Sequence, residues 1–104
     1  MSETVVVRYR THPEAAEENV RLVQAVYAAL AKAAPPDFRY ATYRLADGVS
    51  FVHVSTLTGG THPLPTLPEF AEFQRGLGER CAEPPAPSAA TVVGSYNALS
   101  DGEG

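Results

Sequence analysis

The dipeptide Asp47-Gly48 most constrains what this chain can fold into, because it predicts a β-hairpin with a defined strand register. A type I′ turn needs positive φ at both central residues, and Asp-Gly is one of the pairs that adopt it most readily. Counting outward from the turn pairs Thr42 with His53, within a hairpin that runs from Phe38 to Thr56. The register in turn decides which side chains share a face of the sheet.

Alternation in this register gives the hairpin two chemically different faces. The first is apolar, is expected to pack on the core, and consists of Ala41, Tyr43, Leu45, Val52 and Val54. The second mixes aromatic, polar and charged side chains, and consists of Tyr40, Thr42, Arg44, Phe51, His53 and Ser55. A half-polar face that carries an aromatic ring and a histidine indicates a partner or a ligand on that side.

The rest of the chain predicts two more strands and two helices. The predicted elements, in chain order, are a strand over Thr4 to Arg10, a helix from Thr11 to about Ala33, the hairpin through about Leu57, a helix over Thr66 to Cys81, a stiff connector over Glu83 to Pro87, a strand over Ala90 to Leu99 and a flexible tail over Ser100 to Gly104. Each helix is predicted to begin with a capping box, formed by Thr11 with Glu14 and by Thr66 with Glu69.

The order β-α-β-β-α-β is that of the ferredoxin-like split βαβ plan, an α+β fold with a four-stranded antiparallel sheet and two helices on one face. The tripeptide Thr-His-Pro occurs twice, at 11–13 and at 61–63, at the start of each helical half. With strands one and three taken as adjacent and parallel, both tripeptides are expected at the same end of the sheet.

Composition narrows the functional class. At 104 residues we expect one domain over 1–104, with an ordered part at about 4–99. The net charge of −4 argues against a nucleic-acid-binding protein, which needs a basic surface. No apolar run is long enough for a membrane span, and no signal peptide is recognised. The single cysteine, Cys81, rules out an internal disulfide and is consistent with a cytoplasmic protein.

The second face of the sheet predicts the assembly. Val6, Arg8 and Arg10 of strand one are expected to join the half-polar hairpin face on the side without helices. That surface is too aromatic and β-branched to stay bare, and so small a chain gains stability from a second subunit. We therefore expect a homodimer through the open sheet face, with crossed or barrel-like packing.

On these elements the chain resembles the dimeric α+β barrel superfamily, and within it the antibiotic-biosynthesis-monooxygenase-like proteins. The resemblance covers residues 4–99 as element order, hairpin placement and the second helix. It implies either a cofactor-independent monooxygenase acting on aromatic compounds or a related protein without that activity. The heme-degrading pattern of asparagine, tryptophan and histidine is absent, since the chain has no tryptophan and only Asn19 and Asn97. The resemblance to cofactor-independent enzymes implies that no cofactor is needed.

His53 is the first candidate for chemistry, because an imidazole in mid-strand beside Tyr40, Thr42 and Arg44 could serve as a general base. The alternative is a structural histidine that is hydrogen-bonded across the dimer.

The tyrosines form the second candidate group, because Tyr9, Tyr27 and Tyr43 are expected to point toward the helices. With Phe70 and Phe73 they could line a pocket for a flat aromatic substrate, or form a plain core.

His12 and His62 could share a metal if the two Thr-His-Pro junctions meet, but each tripeptide is explained as the start of a helix, and no metal is predicted. Arg44 could bind an acidic ligand or pair with the second subunit.

The functional hypothesis is thus a monooxygenase-like protein that acts on a phenolic or polycyclic molecule. Its expected catalytic residues are Tyr9, Tyr40, Tyr43 and His53, and its expected substrate-binding residues are Tyr27, Arg44, Phe51, Phe70 and Phe73. The alternative is a non-catalytic homodimer that binds a small ligand or serves in assembly; an RNA-binding domain is disfavoured by the acidic charge.

Overall fold

The computed structural model describes residues 2–96. Their elements, in chain order, are β1 (Ser2–Thr11), a 3-10 turn (Pro13–Ala15), α1 (Ala16–Ala33), β2 (Phe38–Arg44), β3 (Ser50–Thr58), a second 3-10 turn (Leu64–Thr66), α2 (Pro68–Gln74), α3 (Leu77–Arg80) and β4 (Cys81–Ala90). The strands form one antiparallel sheet in the order β2-β3-β1-β4, which confirms the predicted ferredoxin-like α+β class. Positions 97–99 of the predicted last strand and the predicted tail at 100–104 lie outside the described residues.

The hairpin register is confirmed, whereas the predicted turn type is wrong. Thr42 pairs with His53 and Arg44 with Phe51. Gly48 has a φ of 80°, but Asp47 does not have a positive φ. The loop is therefore not a type I′ turn. The Asp47 carboxylate instead accepts hydrogen bonds from the backbone N–H groups of Val49 and Ser50, at 3.0 and 2.8 Å. A short carboxylate side chain can thus close the turn without a left-handed backbone at its own position.

The assignment of the hairpin faces is inverted in the structure. Phe51 and His53 face the helices and are only 1% and 5% exposed. Tyr43, expected inside, lies on the opposite face and is 46% exposed. The alternation was read correctly, but alternation only sorts side chains into two sets. The helices decide which set is buried: Tyr27 of α1 donates or accepts a hydrogen bond with Thr42, on the face that carries His53.

The prediction that strands one and three are parallel is also wrong. Ser2 pairs with Thr58 and Arg10 with Ser50, so β1 and β3 run antiparallel. The hairpin reverses the chain between β2 and β3, and the crossover through α1 makes β2, not β3, parallel to β1. The two Thr-His-Pro tripeptides therefore lie at opposite ends of the sheet. His12 and His62 cannot share a metal, and residues 2–96 contain no group of three metal-ligating side chains.

The proline-rich segment predicted as a connector is part of strand β4. Glu83 pairs with Arg10 and Pro87 with Val7, with register shifts near Arg8 and Arg10. Prolines cannot donate to a ladder, but an edge strand needs donors on only one side. The predicted strand over Ala90 to Leu99 overlaps β4 at Ala90 alone; residues 91–96 have no regular structure. The composition rule for linkers failed here because β4 occupies the sheet edge.

Both predicted capping boxes are absent. The Thr11 hydroxyl donates to the Val49 carbonyl across the sheet at 3.4 Å, and the Thr66 hydroxyl donates to the Pro63 carbonyl at 2.6 Å. The helices begin with 3-10 turns instead. Pro13 is the first residue of its turn and Pro65 is the second of the other, positions where proline has a favourable φ and needs no donor.

The second predicted helix is interrupted between α2 and α3. Gly76 has a φ of 93°, which ends α2 after Gln74 and redirects the chain into the single turn of α3.

The core lies between the sheet and the helices, and its buried members are Tyr9, Leu22, Val23, Val26, Phe51, Leu64, Phe73 and Leu77. Within the described residues, no helix is both long and apolar enough to cross a membrane.

Replacement of Gly76 by alanine should destabilise the protein. A Cβ at φ 93° is strained, and it would lie 3.5 Å from the Arg80 guanidinium. We expect the free energy of unfolding to fall by about 1–2 kcal/mol. Chemical denaturation monitored by circular dichroism measures this.

Gly78→Ala is the matched control, because Gly78 has no neighbour within 4 Å of an added Cβ and no positive φ. Its stability should stay the same or rise. Equal losses in the two variants would contradict the assigned role of Gly76.

Candidate functional site

A cavity of about 370 Å³ opens between the inner face of the sheet and the segment from the second 3-10 turn to α3. Its walls come from β1, β2, β3, β4, that turn, α2 and α3, and are lined by Val5, Val7, Tyr9, Tyr40, His53, Ser55, His62, Leu64, Pro65, Phe70, Phe73, Gln74, Leu77, Pro85 and Pro87. The lining is mostly apolar or aromatic, and its polar side chains are Tyr9, Tyr40, His53, Ser55, His62 and Gln74. This size and composition are those of small-molecule sites.

The imidazole of His53 is at the centre of a group of hydrogen-bonded side chains at the cavity. Its Nε2 lies 2.8 Å from the Tyr9 hydroxyl, and its Nδ1 lies 2.8 Å from the Tyr40 hydroxyl and 3.0 Å from that of Thr42. Strand alternation places these side chains on one face, and the confirmed register sets Thr42 directly opposite His53. We call Tyr9, Tyr40, Thr42 and His53 the His53 cluster.

The His53 cluster is uncharged at neutral pH. Burial lowers the pKa of His53 from its usual 6.5 to about 4, because a charged imidazolium would lose its hydration in this buried position. Burial also raises the pKa of Tyr9 to about 12 and raises the pKa of Tyr40. The cluster therefore presents hydrogen bonds rather than a charge to the cavity.

Two residues behind the cluster were missed by sequence reasoning. Asn19 of α1 is fully buried, and its amide nitrogen donates to the Tyr9 hydroxyl at 2.8 Å. Arg80 donates from Nε to the Asn19 carbonyl at 3.1 Å and from a terminal nitrogen to the Phe73 carbonyl at 2.7 Å. Asn19 precedes Val23 by four residues, so it lies on the buried stripe of α1, and a polar side chain there could have been recognised as a hydrogen-bonding group.

The five predicted aromatic or histidine site residues that line the cavity form a contiguous ring group. Tyr9 stacks on His53 at 5.3 Å between ring centroids, and Phe73 packs against both at 6.5 and 5.7 Å. Phe70 stacks on Phe73 at 6.1 Å. Tyr40 completes the wall at 5.8 Å from His53. These rings form an aromatic wall against which an aromatic ligand can pack.

The other predicted site residues lie away from the cavity. Phe51 is stacked behind Tyr9 at 5.5 Å, in the core. Tyr27 does not line the cavity, but it contacts the cluster from behind through its hydrogen bond to Thr42 at 2.8 Å and by stacking on Tyr40 at 5.2 Å. Arg44 pairs with Glu17 at 3.0 Å near the hairpin turn. Tyr43, on the far face of the sheet, is separated from the cavity by the sheet itself.

His53 should make the stability of the protein depend on pH between about 4 and 6.5. In this window the unfolded chain binds a proton at His53 that the folded chain does not, so the free energy of unfolding falls as the pH is lowered. The loss should reach about 3 kcal/mol between pH 6.5 and 4. Urea denaturation at several pH values measures the slope.

His53→Gln should flatten this slope, whatever it does to the stability at pH 7. The control is His12→Gln, which removes an exposed histidine and should leave the slope as in the unmodified protein. Asp47, with its pKa lowered to about 2 by hydrogen bonds from Ser50 and Val49, adds a separate loss only below about pH 4. An unchanged slope in His53→Gln would show that His53 titrates normally.

Comparison with known proteins shows the fold. No protein-family model and no curated protein matches the sequence. Among solved structures, Rv0793 from Mycobacterium tuberculosis superposes with a TM-score of 0.72 at 20% identity, over 91% of this chain and 98% of that one. SnoaB, a cofactor-independent oxygenase from Streptomyces nogalater, superposes with a TM-score of 0.63 at 20% identity, over 92% and 97%. A further antibiotic biosynthesis monooxygenase gives 0.65 at 14%, over 90% and 100%. The chain thus shares the fold of the antibiotic-biosynthesis-monooxygenase-like proteins, which confirms the resemblance at that level.

Proposed function

We propose that this protein is a cofactor-independent monooxygenase-like enzyme that acts on a flat, electron-rich aromatic molecule of the phenolic or polycyclic class. The observation that carries the proposal is the aromatic cavity with the hydrogen-bonded His53 cluster on the sheet side. The similarity in fold to SnoaB, a cofactor-independent oxygenase, supports it. An apolar cavity with few oriented polar groups is what such chemistry requires of a protein.

The reaction balances without a cofactor when dioxygen is the oxidant. A ring CH₂ activated by neighbouring phenol or carbonyl groups loses a proton, and the resulting anion gives its electrons to O₂. A C–O bond forms to give a hydroperoxide, which loses water and leaves a carbonyl. One oxygen atom is incorporated and the other leaves as water. The protein contributes orientation, exclusion of bulk water and stabilisation of the anion.

His53 is poorly placed to act as a free base. A phenol with a pKa of about 10 would transfer its proton to an imidazole of pKa about 4 at a cost of about 8 kcal/mol. Both ring nitrogens are moreover already hydrogen-bonded to hydroxyl groups. Within the proposal, His53 therefore holds Tyr9 and Tyr40 in place, and the Tyr40 hydroxyl group meets the substrate anion.

The non-catalytic alternative is favoured by the same saturation of His53. A ring with both nitrogens engaged and no charge at neutral pH is also what a purely structural histidine looks like. In that case the cavity binds a small aromatic ligand without turnover, and binding would be observed without consumption of oxygen.

We also propose that the protein is a homodimer through the face of the sheet opposite the helices. That face carries apolar side chains that are half-buried or exposed in the described chain, namely Val6, Ala41, Tyr43, Val52 and Val54. No element of residues 2–96 covers them. The inverted hairpin makes this face more apolar than predicted, because Val52 and Val54 replace Phe51 and His53 there. A second copy would bury a self-complementary surface about a two-fold axis.

Tyr40→Phe should lower kcat/KM for a hydroxylated anthrone, such as 1,8-dihydroxy-9-anthrone, about ten- to a hundredfold. That is the range expected when one hydrogen bond to a charged group is lost in the transition state. Oxygen uptake by tag-free protein, with the quinone product followed by absorbance, measures it.

Tyr43→Phe is the matched control, because it removes the same hydroxyl from the opposite face of the sheet. Its kcat/KM should equal that of the unmodified enzyme. Ligand binding without oxygen uptake across a panel of anthrones and naphthols would support the non-catalytic alternative, and the absence of both would overturn the proposal.

Val54→Glu should convert the dimer to monomers at micromolar concentration, because it would bury an unpaired carboxylate in each half of the interface. Sedimentation velocity measures the mass. Ala28→Glu, on the exposed side of α1, adds the same charge and should remain dimeric. A monomeric unmodified protein, or a dimeric Val54→Glu variant, would contradict the proposed interface.

A further inference from the structure

We infer that the hydrogen bonds of the site run in one direction, from Arg80 to Tyr40, so that the Tyr40 hydroxyl donates into the cavity and the bound molecule presents an oxygen acceptor to it. The inference rests on the proposed function only in taking this cavity as the ligand site. It adds that the ligand group in contact with the Tyr40 hydroxyl is a hydrogen-bond acceptor, namely a carbonyl, enolate or phenolate oxygen, and not a donor.

The direction starts at Arg80. A guanidinium has donors and no acceptor, so the oxygen of the Asn19 amide must be the atom that meets Nε at 3.1 Å. This orients the amide, which otherwise could be placed either way round. The Asn19 nitrogen then faces the Tyr9 hydroxyl at 2.8 Å and donates to its oxygen.

Tyr9 passes the direction on to His53. Its hydroxyl oxygen already accepts from Asn19, and its side chain is 2% exposed. Among residues 2–96, the acceptor that its hydrogen can reach is Nε2 of His53 at 2.8 Å. If Nε2 carried a proton, the Tyr9 hydrogen would be buried without an acceptor, which costs more than an ordinary hydrogen bond gains. Nε2 therefore accepts, and the proton of the neutral ring is on Nδ1.

The Nδ1 proton leaves one hydrogen in surplus. Nδ1 and the hydroxyls of Tyr27, Thr42 and Tyr40 together carry four polar hydrogens. The described chain offers them three contacts: Nδ1 to Tyr40, Nδ1 to Thr42 and Tyr27 to Thr42, at 2.8, 3.0 and 2.8 Å. At least one hydroxyl hydrogen therefore has no internal acceptor. Of the three hydroxyl residues, Tyr40 is the one that lines the cavity.

A ligand that fits this arrangement must accept a hydrogen bond at Tyr40. A carbonyl or an anionic oxygen does so, and the anion of an electron-rich aromatic compound does so most strongly. A ligand with only a C–H edge at this point leaves the Tyr40 hydrogen unpaired.

Nitrogen NMR of the histidine ring tests the direction without reference to any activity. In protein with ¹⁵N-labelled histidine at pH 7, His53 should show a pyrrole-like Nδ1 and a pyridine-like Nε2. Loss of these signals in His53→Gln assigns them. The opposite tautomer, or two pyrrole-like nitrogens, would overturn the inference.

Asn19→Asp reverses the direction with almost no change of shape. A carboxylate cannot donate, so it accepts from both Arg80 and Tyr9, and the Tyr9 oxygen then accepts from Nε2. His53 should switch to a pyridine-like Nδ1, which accepts from Tyr40. Gln24→Glu, at an exposed position of the same helix, adds the same charge and should leave the tautomer unchanged. A variant that folds and keeps the original tautomer contradicts the inference, and if it does not fold the unmodified spectrum still decides.

The pair 9-fluorenone and fluorene tests the chemistry of the ligand, since the two differ by one carbonyl oxygen. Fluorenone should bind about fivefold more tightly, the usual effect of one hydrogen bond, with its carbonyl stretch shifted to lower frequency. Tyr40→Phe and Asn19→Asp should both abolish the difference, whereas Gln24→Glu should keep it.

Equal binding of the pair to the unmodified protein would overturn the acceptor assignment. The inferred tautomer together with a preference for fluorenone, but without oxygen uptake on any anthrone, would leave the inference standing and remove the proposed function. The two can therefore fail separately.

Discussion

The buried imidazole of His53 is the constraint on which the rest of the site depends. It is kept neutral by desolvation, and each of its nitrogens is satisfied by a hydroxyl group. An unpaired polar atom in this position would cost a large part of the stability of a small domain, so the neighbouring hydroxyls cannot be placed independently. Tyr9 and Tyr40, from the central strand β1 and the edge strand β2, are thereby held on one wall of the cavity.

The same constraint reaches the helices through Asn19 and Arg80. Gly76 interrupts the second helical segment, and α3 then carries Arg80 to a point from which it contacts both Asn19 and the Phe73 carbonyl. That carbonyl belongs to the last turn of α2, where carbonyl groups lack partners within the helix. One arginine therefore completes the end of α2 and orients the amide behind Tyr9. Fold and site are connected here, because a continuous helix through Gly76 would carry Arg80 elsewhere.

Most of the fold could be predicted from local patterns, and the errors have identifiable physical causes. The pair Pro35-Pro36 placed the end of α1 at about Ala33, and counting from Asp47-Gly48 placed Thr42 opposite His53 although the turn type differs. The prolines of β4 were read as a connector because the cost of a proline depends on whether its strand is central or at an edge. That property belongs to the sheet, and local composition does not contain it.

The sequence by itself determined the element order, the hairpin register and the division of side chains into two sets along each strand. It also placed Tyr9, Tyr40 and His53 among the candidate residues. Only the tertiary structure decided which set faces the helices, which end of the sheet each junction occupies, and that Asn19 and Arg80 complete the hydrogen-bonded chain. The reason is that alternation and periodicity follow from the geometry of single elements, whereas burial and hydrogen-bond partners depend on elements that are distant in sequence.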